Sequence, residues 1–288
     1  MPARECEAFV LRTYPYREAD LIVSFVARDQ GKLRGIANRA RRPKSRFGSG
    51  LERLSHVRLF YFQRQNRDLV RIDRCELIGP PIFLRADYAT SVALDYVAEI
   101  CGRLLPENEP NDAFFRLVVL VLEQIWSKLD NRTAKTSQSA ESSERGPASP
   151  VNGRSDDSRA NNAGQEETPG WLWLTVTYFS LWAVKLGGWM PPLDVCIQSG
   201  VELPPNETAY FERSQPGLFS ADFRTSDCWA MSPASRTMAS QMLRTSLLDM
   251  DASQWSRRSA EDLRRFLTQR LEAQFETRLK TAETLAEL

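Results

Sequence analysis

The chain has 288 residues, 42% of them hydrophobic and 26% charged, a balance that excludes collagen-like and wholly disordered classes and gives length enough for two packed domains. The net charge of +1 conceals a polarity: residues 1–80 carry 17 Lys or Arg against 9 Asp or Glu, a balance of +8, leaving 21 against 28, or −7, for the rest. The opening segment is therefore suited to meet a polyanion, while the remainder offers an ordinary, mildly acidic surface.

The N-terminus, MPARECEAFVLRTY, places acids where a signal peptide would place an apolar run, so a cytoplasmic protein is expected. The first 80 residues read as strands. Glu7 to Tyr14 and Leu21 to Arg28 are rich in Val, Ile and Phe, and Asp29-Gln30-Gly31 makes a tight hairpin into Lys32 to Asn38. Leu54 to Arg64 and Leu69 to Ile78 follow, parted by the polar turn Gln65-Asn66-Arg67-Asp68. Five short strands without helical period predict a small closed barrel, since closure removes edges that so small an open sheet would expose.

After Gly79-Pro80-Pro81 the period becomes helical, with Val92, Tyr96, Ile100 and Leu104 on one face. Asn111 is placed to cap a second helix carrying Phe115, Val118, Leu122, Ile125 and Leu129. Residues 130–169 are almost wholly Ser, Asn, Gly, Ala, Gln and charge, and are expected to be a disordered insertion. Trp171 to Leu186 predicts a buried helix. Its apolar run is broken by Thr175, Thr177, Ser180 and Lys185, short of what a membrane span needs. Ser232-Pro233 opens another helix, and Ser259 to Asp262 resembles a capping box ahead of a last amphipathic helix with Leu263, Phe266, Leu267, Leu271 and Phe275. The fold class is α+β: a barrel of residues 1–80, then an all-α domain of 81–288 holding the 130–169 insertion and a small irregular module at 193–231.

The strongest functional signal is KLRGIANRARRPKSRF, where Lys32, Arg34, Arg39, Arg41, Arg42, Lys44 and Arg46 occur with no acid among them. Cations so crowded repel one another unless an anion such as a phosphodiester backbone settles between them. Phe47, Tyr14, Tyr16 and Tyr61 belong to the same domain and could offer flat faces to unstacked bases. The alternatives are a solvated loop with spare charge, or a nuclear localisation signal. If about six phosphates are neutralised, the log-log salt slope of single-strand binding is near −4. Signs of catalysis are thin: His56 is the one histidine, and neither a GxxxxGK[ST] nor a GxGxxG run occurs. A non-enzymatic binding protein is expected. Cys196, Ser199, Cys228 and Met231 stand where a paired C-x-x-C ribbon would hold four thiolates, but only two are cysteines, so no zinc or other cofactor is expected. The five cysteines, odd in number and dispersed, fit a reducing compartment.

The opening EAFVLRTYPYREADLIVSFVARDQGKLRGIANRARRPKSRFGSGLERL resembles the RecO family of bacterial DNA repair proteins. The likeness rests on the Arg17-Glu18-Ala19-Asp20 turn, the Gly31-Lys32-Leu33 hairpin and the run from Arg41 to Phe47, all in the family's order. PPLDVC at 191–196 and DLRRFLTQRLEAQFETRLKT near the C-terminus support it more weakly. The resemblance implies an OB-fold barrel and a helical domain with an embedded zinc module, here degenerate. It also implies binding of single- and double-stranded DNA, strand annealing, and handover of single strands to the RecA recombinase. The implied partners are RecR and the acidic C-terminal tail of the single-stranded DNA-binding protein. A scaffold whose basic barrel meets an acidic protein tail is the competing expectation.

Overall fold

A computed structural model describes residues 3–63, 68–143 and 168–288, with the backbone alone for 133–143. β1 (Ala3–Tyr16), β2 (Asp20–Ala27), β3 (Gly31–Ala37), β4 (His56–Phe62) and β5 (Leu69–Leu77) are five strands, as the turn punctuation predicts. They close in the order β1-β2-β3-β5-β4, with β3 and β5 parallel and the other pairs antiparallel. This is the expected OB-fold barrel. Residues 65–67 of the predicted turn, with Arg64 at the end of the strand before it, lie outside the described residues.

Period-two alternation turns Cys6, Ala8, Val10, Phe25, Leu59 and Tyr61 into the barrel core. β1 is apolar on its other face too, and there Phe9 and Leu11, joined by Val26 of β2, pack on Cys101, Leu105, Phe114, Phe115 and Val118 of the helical region. The β2–β3 hairpin is pinned to the same region. Gly31 has φ 72°, and a Cβ there would overlap the Glu109 carbonyl. The Asn108 amide donates to the Lys32 carbonyl at 3.1 Å.

The helical region comprises α1 (Tyr88–Leu104), α2 (Asp112–Ser143), α3 (Gly170–Leu186), α4 (Pro233–Met242), α5 (Glu261–Phe275) and α6 (Lys280–Ala286). Asp87 caps α1 by accepting from the Thr90 amide, and Asn111 caps α2 by accepting from the Phe114 amide at 2.9 Å. α3 is buried on nearly all sides, and its hydroxyls are satisfied inward: Thr175, Thr177 and Ser180 each donate to the carbonyl four residues back at 2.7 Å. Among the described residues no helix is long and apolar enough to cross a membrane.

Three expectations are corrected. α2 does not stop at Leu129 but continues to Ser143, and Thr168 is buried; of the expected disordered segment 130–169, only 144–167 fall outside the described residues. Continuing a formed helix adds a hydrogen bond for each residue fixed, so a polar run can extend one that a packed face has nucleated. The Ser259–Asp262 capping box does not form, since Ala260 is left-handed at φ 53° and Asp262 accepts instead from the Ser232 amide and the Ser235 hydroxyl of α4. The last helix is two: Glu276, at φ 53°, ends α5, and α6 turns back to α1. There Glu99 accepts from the Thr281 amide at 3.0 Å and the Thr281 hydroxyl at 2.5 Å.

Candidate nucleic-acid interface

Residues 38–55 join β3 to β4 as a chain of tight turns. Arg42, Ser45, Gly48 and Gly50 each donate an amide to the carbonyl three residues earlier, at 3.2, 3.1, 3.4 and 2.9 Å. Arg39 and Lys44 lie in the left-handed region, at φ 57° and 60°, a conformation that side chains other than glycine hold only when the surroundings impose it. The imposing contacts are visible. The Arg39 amide donates to Asp20 at 2.8 Å, the Arg41 amide to the Ala19 carbonyl at 3.0 Å, and Phe47 and Leu51 sink into the barrel core.

Phe47 is thus an anchor, only 3% exposed, and not the base-stacking face expected of it; Tyr61, 1% exposed inside the barrel, is corrected likewise. Apolar residues beside a polar loop gain more from core burial than from an exposed face. Tyr14, 45% exposed, and the half-buried Tyr16 remain available on the β1–β2 hairpin beside the loop, with Arg12 over the Tyr14 ring at 5.7 Å and Arg17 over the Tyr16 ring at 5.1 Å.

The seven predicted cations do not form one group. Arg39, Arg41, Arg42 and Lys44 are exposed and, among the described residues, have no carboxylate partner for their side chains. Arg46 pairs with Asp73 of β5 at 2.9 Å. Arg34 pairs with Glu107 at 3.2 Å, and Lys32 donates to the Gly102 carbonyl at 2.8 Å, where burial lowers its pKa. These last two face the helical region and help to lock the barrel to it. The site is therefore a four-cation loop with Arg46 at its margin.

His56 is structural: its Nε2 lies 2.8 Å from Glu7 and its ring stacks on Phe9 at 4.6 Å, near Phe115 of α2. Burial pushes the Glu7 carboxyl up, but hydrogen bonds from Arg28 and His56 outweigh it and hold the carboxyl below its ordinary range.

The module after α3 contains the short pair β6 (Ala209–Phe211) and β7 (Trp229–Met231). Its donor set does not suit zinc. Burial raises the Cys196 thiol, but hydrogen bonds from the Ser199 hydroxyl and the amides of Ser199, Ser220 and Gln198 bring it down to about 7. The Cys228 thiol donates to the Thr225 carbonyl at 3.1 Å, Met231 is wholly buried in the apolar core, and no group of three or more His, Cys, Asp or Glu placed to hold a metal occurs among the described residues. The module is held instead by the buried Arg236 of α4, whose guanidinium donates to the carbonyls of Leu193, Pro204, Glu207 and Leu203 at 2.9, 2.9, 3.1 and 2.9 Å.

Sequence reasoning did not locate a cavity of about 350 Å³ between α3, α5 and α6. Trp173 forms part of its wall beneath Arg264, whose guanidinium sits 4.7 Å from the ring, and Arg213, Arg257, Arg265 and Arg278 stand around it. Among the described residues the buried Trp173 Nε1 has no hydrogen-bond partner.

Residues 1–81 match the family description "Recombination protein O N terminal", and residues 85–135 and 166–283 match "Recombination protein O C terminal". The DNA repair protein RecO of Koribacter versatilis is 35% identical over 285 residues, 99% of each chain. That of Bifidobacterium adolescentis is 28% identical over 234 residues, 81% of this chain and 78% of the relative.

Proposed function

Because the chain belongs to the recombination protein O family of DNA repair proteins, we propose that it binds and anneals single-stranded DNA and helps load RecA onto gaps coated by the single-stranded DNA-binding protein. The observation that carries this reading is the loop of Arg39, Arg41, Arg42 and Lys44, held rigid by Phe47 and left without carboxylate partners among the described residues. A fixed array of unpaired cations lowers the cost of ordering when phosphates replace counterions. The same loop accepts duplex backbones, while Tyr14 and Tyr16 favour strands whose bases are free to stack.

The protein acts in this reading by binding and placing, without a catalytic centre. Residues 1–80 serve as the DNA-binding domain and 81–288 as the docking domain, working in the cytoplasm at the nucleoid. RecR and the acidic tail of the single-stranded DNA-binding protein are the direct partners, and RecA is reached through the DNA. The cavity around Arg264 and Trp173 supports a place for that tail. Burial brings the Arg264 guanidinium down to about 10, so it stays charged at neutral pH, and its place over the Trp173 ring in the cavity wall fits a carboxylate-bearing peptide with an apolar end, although Arg213, Arg265 and Arg278 on the rim already pair with Glu272, Glu261 and Glu283.

The test is annealing of complementary oligonucleotides, with fluorescence anisotropy of one labelled strand, for the parent and for a variant with Arg39, Arg41, Arg42 and Lys44 changed to Ala. Salt-sensitive binding and annealing lost in the variant are expected. A folded parent that binds no strand at low salt would overturn the proposal in favour of a scaffold for acidic protein tails.

A further inference from the structure

OB-fold barrels commonly take nucleic acid across strands 2 and 3, between the loop joining strands 1 and 2 and the loop joining strands 4 and 5. In this chain part of that face is already occupied: Val26 is packed in the helical core, Gly31 abuts Glu109, and Lys32 and Arg34 are tied to Gly102 and Glu107. A strand leaving the basic loop is therefore obstructed at the hairpin end of β2 and β3.

Among the described residues the neighbouring wall is exposed at Arg71 and Arg74, and it is differently furnished. On the outer face of β4 and β5, Phe60 pairs across the strands with Arg74, and Phe62 with Arg71. Each arginine lies over the ring opposite it, Arg74 at 3.8 Å and Arg71 at 4.8 Å from the centroids. Both guanidiniums are on exposed residues, and both phenylalanines are half-buried beneath them. Phe60 and Phe62 face away from the barrel interior that holds Leu59 and Tyr61, so the barrel core does not account for them. A ring beneath an arginine holds the planar group flat, with its outer face ready for a base and its edge donors ready for a phosphate. The wall also joins the loop: Arg46 reaches Asp73, the bulged residue beside Arg74. Two acids share this face, Glu76 at 3.3 Å from Arg74 and Glu5 at 3.8 Å from Arg58; among the described residues Arg71 has no carboxylate partner.

We propose that single-stranded DNA continues from the basic loop, past Arg46, onto the outer β4–β5 face, where the Arg74–Phe60 and Arg71–Phe62 pairs are two successive base-stacking steps. The inference rests on the single-strand reading above and adds to it the route and the reason for a single-strand preference. Bases already stacked in a duplex cannot use such steps.

The experiment compares the parent with a Phe60→Leu, Phe62→Leu double variant and an Arg71→Lys, Arg74→Lys double variant, titrating a labelled oligothymidylate and a duplex of equal length at several salt concentrations. The first pair keeps apolar volume and removes the rings; the second keeps charge and removes the planar group. The expected result is about a tenfold to hundredfold loss of single-strand affinity in each, with the salt slope and duplex affinity unchanged. Parent-like single-strand affinity in both variants would overturn the route while leaving the single-strand reading in place. Equal losses on single strand and duplex would also overturn it, since stacking would not be the cause. No binding by the parent would overturn both.

Discussion

Replacing Arg236 by Met tests how the module after α3 is held. The side chain is 6% exposed, and its guanidinium serves four backbone carbonyls between Leu193 and Glu207. Methionine preserves much of the apolar stem and removes every donor. A buried acceptor left unpaired costs about 1–3 kcal/mol, but a cavity of about 370 Å³ lined by Leu193, Leu203 and Arg236 can admit water to some of them, so the four losses do not simply add. The expected destabilisation is about 3–5 kcal/mol, which at a urea dependence of about 3 kcal/mol per molar lowers the denaturation midpoint by about 1–1.7 M. Amide exchange should accelerate in residues 193–211 ahead of the barrel, because the carbonyls lost to the staple all lie there. A chelator should leave the parent's midpoint where it was. A midpoint drop below about 0.3 M for Arg236→Met, or a parent destabilised by the chelator, would refute the account of a module stapled by arginine.

With four unpaired loop cations in place of seven, single-strand affinity should fall with a log-log salt slope near −3 if the loop alone meets phosphates, and Arg41→Ala, Arg42→Ala and Lys44→Ala together should lower it by about 2; a parental slope near −5 would mean that cations beyond the loop, Arg71 and Arg74 of the β4–β5 face or Lys32, Arg34 and Arg46, also meet phosphates. In Glu7, Asp87 and Glu99 burial raises the carboxyl pKa, but hydrogen bonds and neighbouring cations outweigh it and the net shift is downward. Groups depressed on folding contribute stability that is whole above their unfolded values and lost as pH falls through the folded ones, so the urea midpoint should decline below about pH 4.5. Glu99→Gln should flatten part of that decline; an unchanged profile would remove Glu99 from the account. Ser199→Ala should raise the Cys196 thiol above about 7, read by NMR titration of labelled cysteine, and an unmoved midpoint would show that the backbone amides suffice.

The barrel was legible because each strand announces itself locally, through β-branched and aromatic runs closed by Asp29-Gln30-Gly31 or Gly79-Pro80. Asn111 and Ser232 were legible as caps for the same reason: the bond each makes reaches only three residues. The charge of the loop was legible, but its division was not, since Glu107 lies 73 residues from Arg34 and Asp73 lies 27 from Arg46, and a closed barrel and a docked helical region bring them together. Phe47 misled because an aromatic after a run of arginines has the composition of a stacking platform whether it faces water or the core. Phe60 and Phe62 escaped notice for the converse reason. Alternation with Leu59 and Tyr61 marks two faces of a strand and does not say which arginines will lie above the outer one.

The pinning of the β2–β3 hairpin against residues 102–109 sets a distance. With Gly31 pressed on Glu109, and Phe9, Leu11 and Val26 buried among the helices, the barrel is joined to its helical neighbour by apolar packing and no simple swivel is left between them. Under the proposed function, a DNA strand on the loop and a peptide in the cavity beside Arg264 would be held at a fixed span. The tether of any protein that touches both must match that span. Its second contact gains an effective concentration governed by tether length, so shortening or stiffening the tether, with every contact residue intact, changes the avidity of the whole assembly.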